Sequence, residues 1–495
     1  LRCRDKGLIR AITDCGAGGF ASAIGEMGSK TGVRVELEKA PLKYQGLSPW
    51  EIWLSESQER MVIAVAPEHA QRVVGICRNH NVEATALGFF TGNQRLAVTY
   101  HGETVCDLSM EFLHGGLPRR SMTACKRHAR VLVSANVSER QSEGDWTRAY
   151  QAVMAHGNVC SKEPIVRMYD HGVQGTAALA PFSGKWHDGP NDAVVIRPVL
   201  GKPHGLIVSH GLNPVLNRLD SYAGSLWAAV EALSNYVAVG GDFREAALID
   251  NFIWPFPDEE SLWDLDQAVE ACLEIMDVFQ IPFVSGKDSL SSTYRRGDFV
   301  LKIPPVLCVS VFGRIPDVTK TVTSDFKQTG SHIVLVGKPD TDHLGGSVYF
   351  QTAGQEGGEV PQVDLSGLPT LFDWLHNQIT EGNVLACHDM SEGGMAATLA
   401  EMCFGGNRGA QVSVPIGYSG RLDHWFFNET AGCFLLEVPN DRLHRAACAA
   451  LFAGVRSPFA VIGVVTDTDS VTLTHHNNPL FSLTLDALRE SWKRS

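Results

Sequence analysis

Residues 388–401 read HDMSEGGMAATLAE, an acid and a glycine pair set just ahead of small and apolar residues at helical spacing. Residues 14–26, DCGAGGFASAIGE, repeat the device. Asp14 and Asp389 lie 375 residues apart, as do Gly18-Gly19 and Gly393-Gly394, and Glu26 and Glu401. Further along, SESQERMVIAV (55–65) aligns with NETAGCFLLEV (428–438) at a separation of 373, and GFFT (88–91) with GVVT (463–466) at 375 again. A repeat this long exceeds any solenoid unit, so the matches predict multi-domain modules in tandem. Only about the last 100 residues of a first copy precede the complete second copy. The expectation is a first copy truncated at its N-terminus, with roughly 250 further residues upstream. The opening LRCRDKGLIRAITDC has no initiator Met and no signal-peptide pattern, in keeping with that expectation.

Working outward, 495 residues are too many for one ordinary domain. The segment HGGLPRRSMTACKRHAR (114–130) reads as a linker. The expected divisions are 1–115, the end of the first module; 116–325 and 326–480, the two halves of the second; and 481–495, a tail. Strands are predicted at ERMVIAVAP, RLAVTY, DAVVIRP, HGLIVSHG, EAALIDNFIWP, PVLCVSVFG and SHIVLVGKP. Helices are predicted from about Tyr222 to Val239 and over 258–279. Short turns join many strands, so the fold class is mixed α+β rather than a doubly wound sheet.

A net charge of −13 without a compact basic stripe argues against nucleic acid. No apolar run reaches the roughly 18 residues a membrane helix needs. Twelve scattered cysteines, with no C-x-x-C pair, suit a reduced, cytoplasmic setting.

Three stretches carry chemistry. Glycines ahead of a helix let the backbone approach an anion, and an adjacent Asp can hold a divalent cation that bridges phosphate oxygens. In WAAVEALSNYVAVGGD (227–242), Glu231 and Asn235 are four apart, two hard oxygen ligands on one face of an otherwise apolar helix. In FVSGKDSLSS (283–292), Gly286, Lys287, Asp288 and Ser289 form a phosphate or metal turn, and Asp250 at the end of ALID can join it. This is not a Walker loop, because position 281 is Ile where the leading glycine would stand. No nucleophile elbow, zinc spacing or H-E-x-x-H is present. His210, His388 and His475-His476 read as structural.

Together, ITDCGAGGFASAIGE, SPWEIWLSESQERMVIAV, PFVSGKDSLSS and CHDMSEGGMAATLAEM resemble phosphoribosylformylglycinamidine synthase, an enzyme of purine biosynthesis related in fold to aminoimidazole ribonucleotide synthetase. The resemblance implies ATP- and Mg²⁺-dependent conversion of formylglycinamide ribonucleotide to its amidine, with ammonia supplied from glutamine by a glutaminase domain or subunit. It implies metal ligands at Asp14, Glu231, Asn235 and Asp389, and substrate contacts at Glu56, Ser57, Gln58 and Ser289. It implies nucleotide contacts at Asp250, Gly286 and Ser391, with Lys287 following the GKDS form of the long, fused enzymes. The family's catalytic histidines and its first glycine-rich ATP loop are expected upstream of Leu1. The family's second-half metal Asp is expected nine residues before Asp220, at Gly211, which would leave that site one ligand short unless His210 substitutes. Two further readings are a selenophosphate-synthetase-like enzyme, which the repeat and SESQER argue against, and a non-catalytic nucleotide-binding scaffold, motivated by Gly211.

Overall fold

The computed structural model describes residues 1–116, 118, 121–126, 137–455 and 459–494. The chain divides into two compact units, Leu1–Ser121 and Met122–Ser495. The linker expected at 114–130 lies partly outside the described residues.

In the first unit the order is β1 (Ile9–Asp14), α1 (Gly19–Met27), β2 (Val33–Glu36), α2 (Pro49–Leu54), β3 (Met61–Val65), α3 (Ala70–Arg78), β4 (Gly88–Phe90), β5 (Arg95–Tyr100), β6 (Glu103–Ser109) and α4 (Met110–Gly115). Ser48 and Glu51 close a capping box that starts α2, with Pro49 in its first turn, where a missing N–H costs nothing. The strands form an antiparallel pair, β1-β3, and a separate sheet of order β4-β2-β5-β6. Val33 and Val35 of β2 and Leu96 and Val98 of β5 turn alternate side chains onto Phe20 and Ile24 of α1, which makes the core of this unit.

The second unit begins with α5 (Glu143–Met154), β7 (Ala177–Leu179), β8 (Val194–Ile196), β9 (Gly205–Gly211), α6 (Ser221–Ala238), β10 (Ala246–Ile253), α7 (Glu259–Phe279), β11 (Phe283–Ser289) and β12 (Val306–Ile315). Its first sheet has the order β11-β10-β12-β9-β8-β7. The chain continues through β13 (His332–Val336), α8 (Leu368–Thr380), β14 (Ala386–Asp389), α9 (Gly394–Gly406), β15 (Gly409–Ser413), β16 (Phe434–Val438), β17 (Phe459–Thr466), β18 (Ser470–His475), β19 (Asn478–Thr484) and α10 (Leu485–Trp492). Those strands make a seven-stranded sheet, β14-β16-β13-β17-β15-β18-β19. Helix α6 is apolar on nearly every side because it is packed on nearly every side: Trp227, Val230, Leu233 and Val237 join one core with strands of both sheets. The expected division at 325/326 falls where the chain passes between the sheets, within this single compact unit.

Two expectations need correction. Residues 481–495 are not a tail: β19 runs to Thr484, α10 follows, and the buried Trp492 donates its indole N–H to the Val159 carbonyl at 3.0 Å. The GKDS stretch is not a turn but the body of β11, hydrogen-bonded in parallel to β10. The β-strand continues there because its neighbour β10 is long enough to pair with it through Ser289.

The same local arrangement occurs in both units. Asp14 stands opposite Met61 across β1-β3, and Asp389 stands opposite Phe434 across β14-β16. Thr99 donates its hydroxyl to the Val35 carbonyl at 3.3 Å, and Thr474 donates to that of Val412 at the same distance. Ser109 caps α4 through the Phe112 amide, and Thr484 caps α10 through that of Ala487. One strand distinguishes them. In the second unit β13 stands between β16 and β17, whereas among the described residues of the first unit nothing pairs with the facing edges of β3 and β4.

Candidate active site and nucleotide corner

Asp389 ends β14, and the chain then turns through Met390–Gly393 into α9. Gly393 and Gly394 adopt φ of 86° and 62°, the left-handed region that favours glycine. A Cβ on Gly394 would sit 2.3 Å from the Asn428 carbonyl oxygen, so the helix start must be bare to pack here. Glu429, in the segment leading into β16, holds the corner: its Oε1 accepts the Gly393 amide at 2.8 Å and the Val348 amide at 2.8 Å. The Trp227 indole on α6 donates to the Glu429 carbonyl at 2.7 Å, fixing α6 against the turn. Among the described residues the Glu429 Oε2 has no hydrogen-bond partner, and burial pushes this carboxyl up to about 8.

Acidic groups converge on this corner. The Asp192 Oδ1 accepts the Asp389 amide at 3.1 Å and meets the His388 Nδ1 at 2.7 Å; the His388 Nε2 meets the Glu401 Oε2 at 3.0 Å. Both ring nitrogens face carboxylates, so both carry protons and the ring is an imidazolium. Burial alone would depress it, but Asp192 and Glu401 outweigh burial and hold it well above the ordinary range. Asp389 is driven the other way: burial first, then the Asp192 charge, raise it well above the usual carboxylate range. Glu231 is likewise raised by burial and by Glu392 and Asp389. Burial pushes Glu392 itself to about 7. Carboxylate oxygens of Asp192 and Asp389 lie within 4.8 Å of one another, and among the described residues the buried Asp192 Oδ2 has no partner. This surplus of hard oxygens, with an orphaned lone pair among them, fits a divalent cation.

The position where a further Asp was expected, Gly211, ends β9. A Cβ there would lie 2.2 Å from the Ala228 carbonyl oxygen and 2.6 Å from the Ala232 amide, so no Asp can occupy the position. Asp192, which the sequence reading missed, supplies the carboxylate next to Asp389, and His210 does not join it. An acid immediately ahead of the apolar run AVVI was the signal available. Glu231 instead accepts the Leu212 amide at 2.9 Å, which brings β9 against α6. Asn235, one turn along, donates to the His210 carbonyl at 3.0 Å. Ser391 lies on the turn itself, where its carbonyl accepts the Gly394 amide.

In the first unit the corresponding corner is more open. Gly18 and Gly19 have φ of 77° and 58°, and Glu56 Oε1 accepts the Gly18 amide at 2.9 Å. The structure thus places Glu56, Ser57 and Gln58 beside the turn that follows Asp14, all of them exposed. In the second unit's first sheet, Asp250 stands opposite Gly286 in the β10-β11 register. A Cβ on Gly286 would fall 2.2 Å from the Asp250 Oδ1, so the glycine makes room for that carboxylate. Burial, then Asp288, raise Asp250 above its ordinary range. Lys287 and Ser289 continue the same exposed edge strand.

Comparison with known proteins accords with this architecture. The family described as "AIR synthase related protein, C-terminal domain" matches residues 1–101 and again 328–476. The chain belongs to the AIR synthase-related family, with its C-terminal domain present in tandem. More particularly, it is 32% identical over 452 residues to phosphoribosylformylglycinamidine synthase subunit PurL of Thermoplasma acidophilum, covering 89% of this chain and 57% of that protein. It is 30% identical over 502 residues to the PurL subunit of Deinococcus radiodurans, covering 100% of this chain and 65% of that one. The chain therefore spans 57% to 65% of the length of these relatives. Its fold is that of Thermotoga maritima PurL complexed with FGAR, at a TM-score of 0.64 and 20% identity over 94% of this chain and 63% of that one. The same protein complexed with ATP gives a TM-score of 0.61. No described helix is long and apolar enough to cross a membrane.

Proposed function

We propose that this chain carries the synthetase chemistry of phosphoribosylformylglycinamidine synthase: amidation of formylglycinamide ribonucleotide with ATP and ammonia. The observation that supports it best is the repeated acid–Gly-Gly corner, held in each unit by a Glu-to-amide hydrogen bond, in a chain 30% identical along its whole length to a PurL subunit. An amide oxygen is a poor leaving group. Transfer of the γ-phosphoryl group to it gives an iminophosphate and ADP; ammonia then adds at carbon and inorganic phosphate departs. The chain's contribution is positioning and charge compensation. Glu56, Ser57, Gln58 and Ser289 would contact the ribonucleotide; Asp250, Gly286, Lys287 and Ser391 would contact nucleotide. Asp192, Glu231, Asn235 and Asp389 would hold Mg²⁺ in the second unit and Asp14 in the first. Mg²⁺, when bound, neutralises phosphate charge. The bare amides at the start of α9 face the same need. Ammonia is proposed to come from a glutaminase partner, and the reducing cytoplasm to be the setting; all twelve cysteines are unpaired.

The test is phosphate release from ATP by the whole gene product, with and without formylglycinamide ribonucleotide and ammonium. Release that requires both substrates is the expected result. Nucleotide binding without such release would replace this reading with the scaffold.

A further inference from the structure

Residues 55–60, SESQER, lead from α2 into β3 and pass beside the turn that follows Asp14. Arg60 gathers this segment. Its Nε donates to the Ser57 carbonyl at 3.0 Å, and a terminal nitrogen of the same guanidinium donates to the Ser55 carbonyl. The guanidinium carbon lies 4.4 Å from the centre of the Phe20 ring on α1. The Arg60 carbonyl in turn accepts the Cys15 amide at 3.0 Å. One residue thus ties the segment to itself, to the helix behind the Gly-Gly turn and to the chain just after Asp14. The segment is bent against its own preference: Glu59 stands at a φ of 62°, where the second unit has Gly432 at 86°. A non-glycine residue keeps such a conformation only where its surroundings over-determine it.

The second unit lacks this device. Cys433 stands where Arg60 does and Met395 where Phe20 does, both buried. Thr430 and Ala431, in the places of Ser57 and Gln58, are 2% and 4% exposed, whereas Ser57 and Gln58 are open to solvent. The Thr430 hydroxyl is satisfied internally, donating to the Asn428 Oδ1 at 3.0 Å and accepting the Asp340 amide at 2.9 Å. We infer that Arg60 is the positioning residue of a ribonucleotide loop that the second unit does not have: by gripping two carbonyls it holds Glu56 on the Gly18 amide and presents Ser57 and Gln58. This rests on the proposed role of Glu56, Ser57 and Gln58 as ribonucleotide contacts. Lysine is no substitute here. A single ammonium offers neither the planar fork that meets two carbonyls nor the flat face that lies on Phe20.

The test uses the whole gene product with Arg60→Lys and Arg60→Ala. Hydrogen exchange is read first, with no ligand present, at two amides. Gly18 is bonded by the Glu56 side chain and Cys15 by the Arg60 backbone, so the first reports the loop and the second the strand pair. In both variants the Gly18 amide is expected to exchange about tenfold faster and the Cys15 amide at the wild-type rate. In steady-state phosphate release, KM for formylglycinamide ribonucleotide is expected to rise about tenfold in both variants, with KM for ATP unchanged. Unchanged Gly18 exchange overturns the inference whatever the activity, and so does an unchanged KM for the ribonucleotide. Equal acceleration at Gly18 and Cys15 also overturns it, because that is general loosening. Recovery of the wild-type KM by Arg60→Lys does so too, because that is a charge contact with the substrate. Wild-type protein that releases no phosphate with both substrates would remove the proposed function instead, and the exchange measurement would still decide whether Arg60 holds the loop.

Discussion

The Nδ1 of His388 lies 2.7 Å from the Oδ1 of Asp192, a residue 196 positions earlier in the chain, and both side chains are almost wholly buried. Removing one member of a buried pair leaves the other charge uncompensated, which typically costs about 3–5 kcal/mol. His388→Ala is therefore expected to destabilise the second unit by about that amount, measured by urea unfolding. The His388 pKa is raised on folding, so its contribution is full below about pH 6.5 and is lost as pH rises through the folded value. The difference between wild type and His388→Ala should accordingly shrink at strongly alkaline pH.

Glu429 gives a slope of the same sign in a window that can be named. Its carboxyl is raised from the ordinary 4.5 to about 8, so the folded state holds a proton that the unfolded state has released between those values. Stability from this group falls as pH climbs from about 5 to about 8, at about 1.4 kcal/mol per unit at most. Glu429→Gln cannot ionise. Its unfolding midpoint is expected to gain on wild type steadily between pH 5 and pH 8, and a constant difference would refute the assignment.

Gly394→Ala places a Cβ 2.3 Å from the Asn428 carbonyl oxygen at a left-handed φ. The left-handed conformation alone costs roughly 1–2 kcal/mol for a non-glycine residue, and the contact adds to it. A loss of at least about 2 kcal/mol is expected in denaturant titration, while Gly417→Ala, where a Cβ meets open space, should lose less.

Divalent-cation affinity should depend on the carboxylate that the chain brings from far away. Asp192→Asn is expected to weaken Mn²⁺ binding about tenfold or more, read by electron paramagnetic resonance of free Mn²⁺. His210→Ala should leave it unchanged. The reverse pattern would restore His210 as the ligand.

A point substitution in α10 tests the correction at the C-terminus. Trp492 is buried against Phe404 and bonded to Val159, so Trp492→Ala is expected to cost about 3–5 kcal/mol of second-unit stability. A tail would show no effect.

Much of this was legible in the sequence because repetition and periodicity are local signals. The two Gly-Gly corners declared themselves by spacing, and α6 and α7 by their apolar period. Asp192 was hidden because an acid ahead of a short apolar run is a weak local mark; only folding brings it to Asp389. Gly211 was opaque for a related reason. A missing acid and a position with no room for a Cβ look alike in one dimension. The GKDS stretch read as a turn because its residues are turn formers, yet pairing with β10 overrides that local preference.

The Glu-to-amide bond at each corner has a consequence for how such sites diversify. Shape there is set by backbone amides, bare glycines and one distant glutamate, none of which is drawn from the turn's variable positions. Thr13 stands where the other corner has His388, Gly16 where it has Ser391, and Ala17 where it has Glu392. The frame is thus insulated from its cargo. Side chains at the mouth can be exchanged, charged ones for neutral ones, without renegotiating the turn that presents them, and two copies in one chain are free to specialise separately.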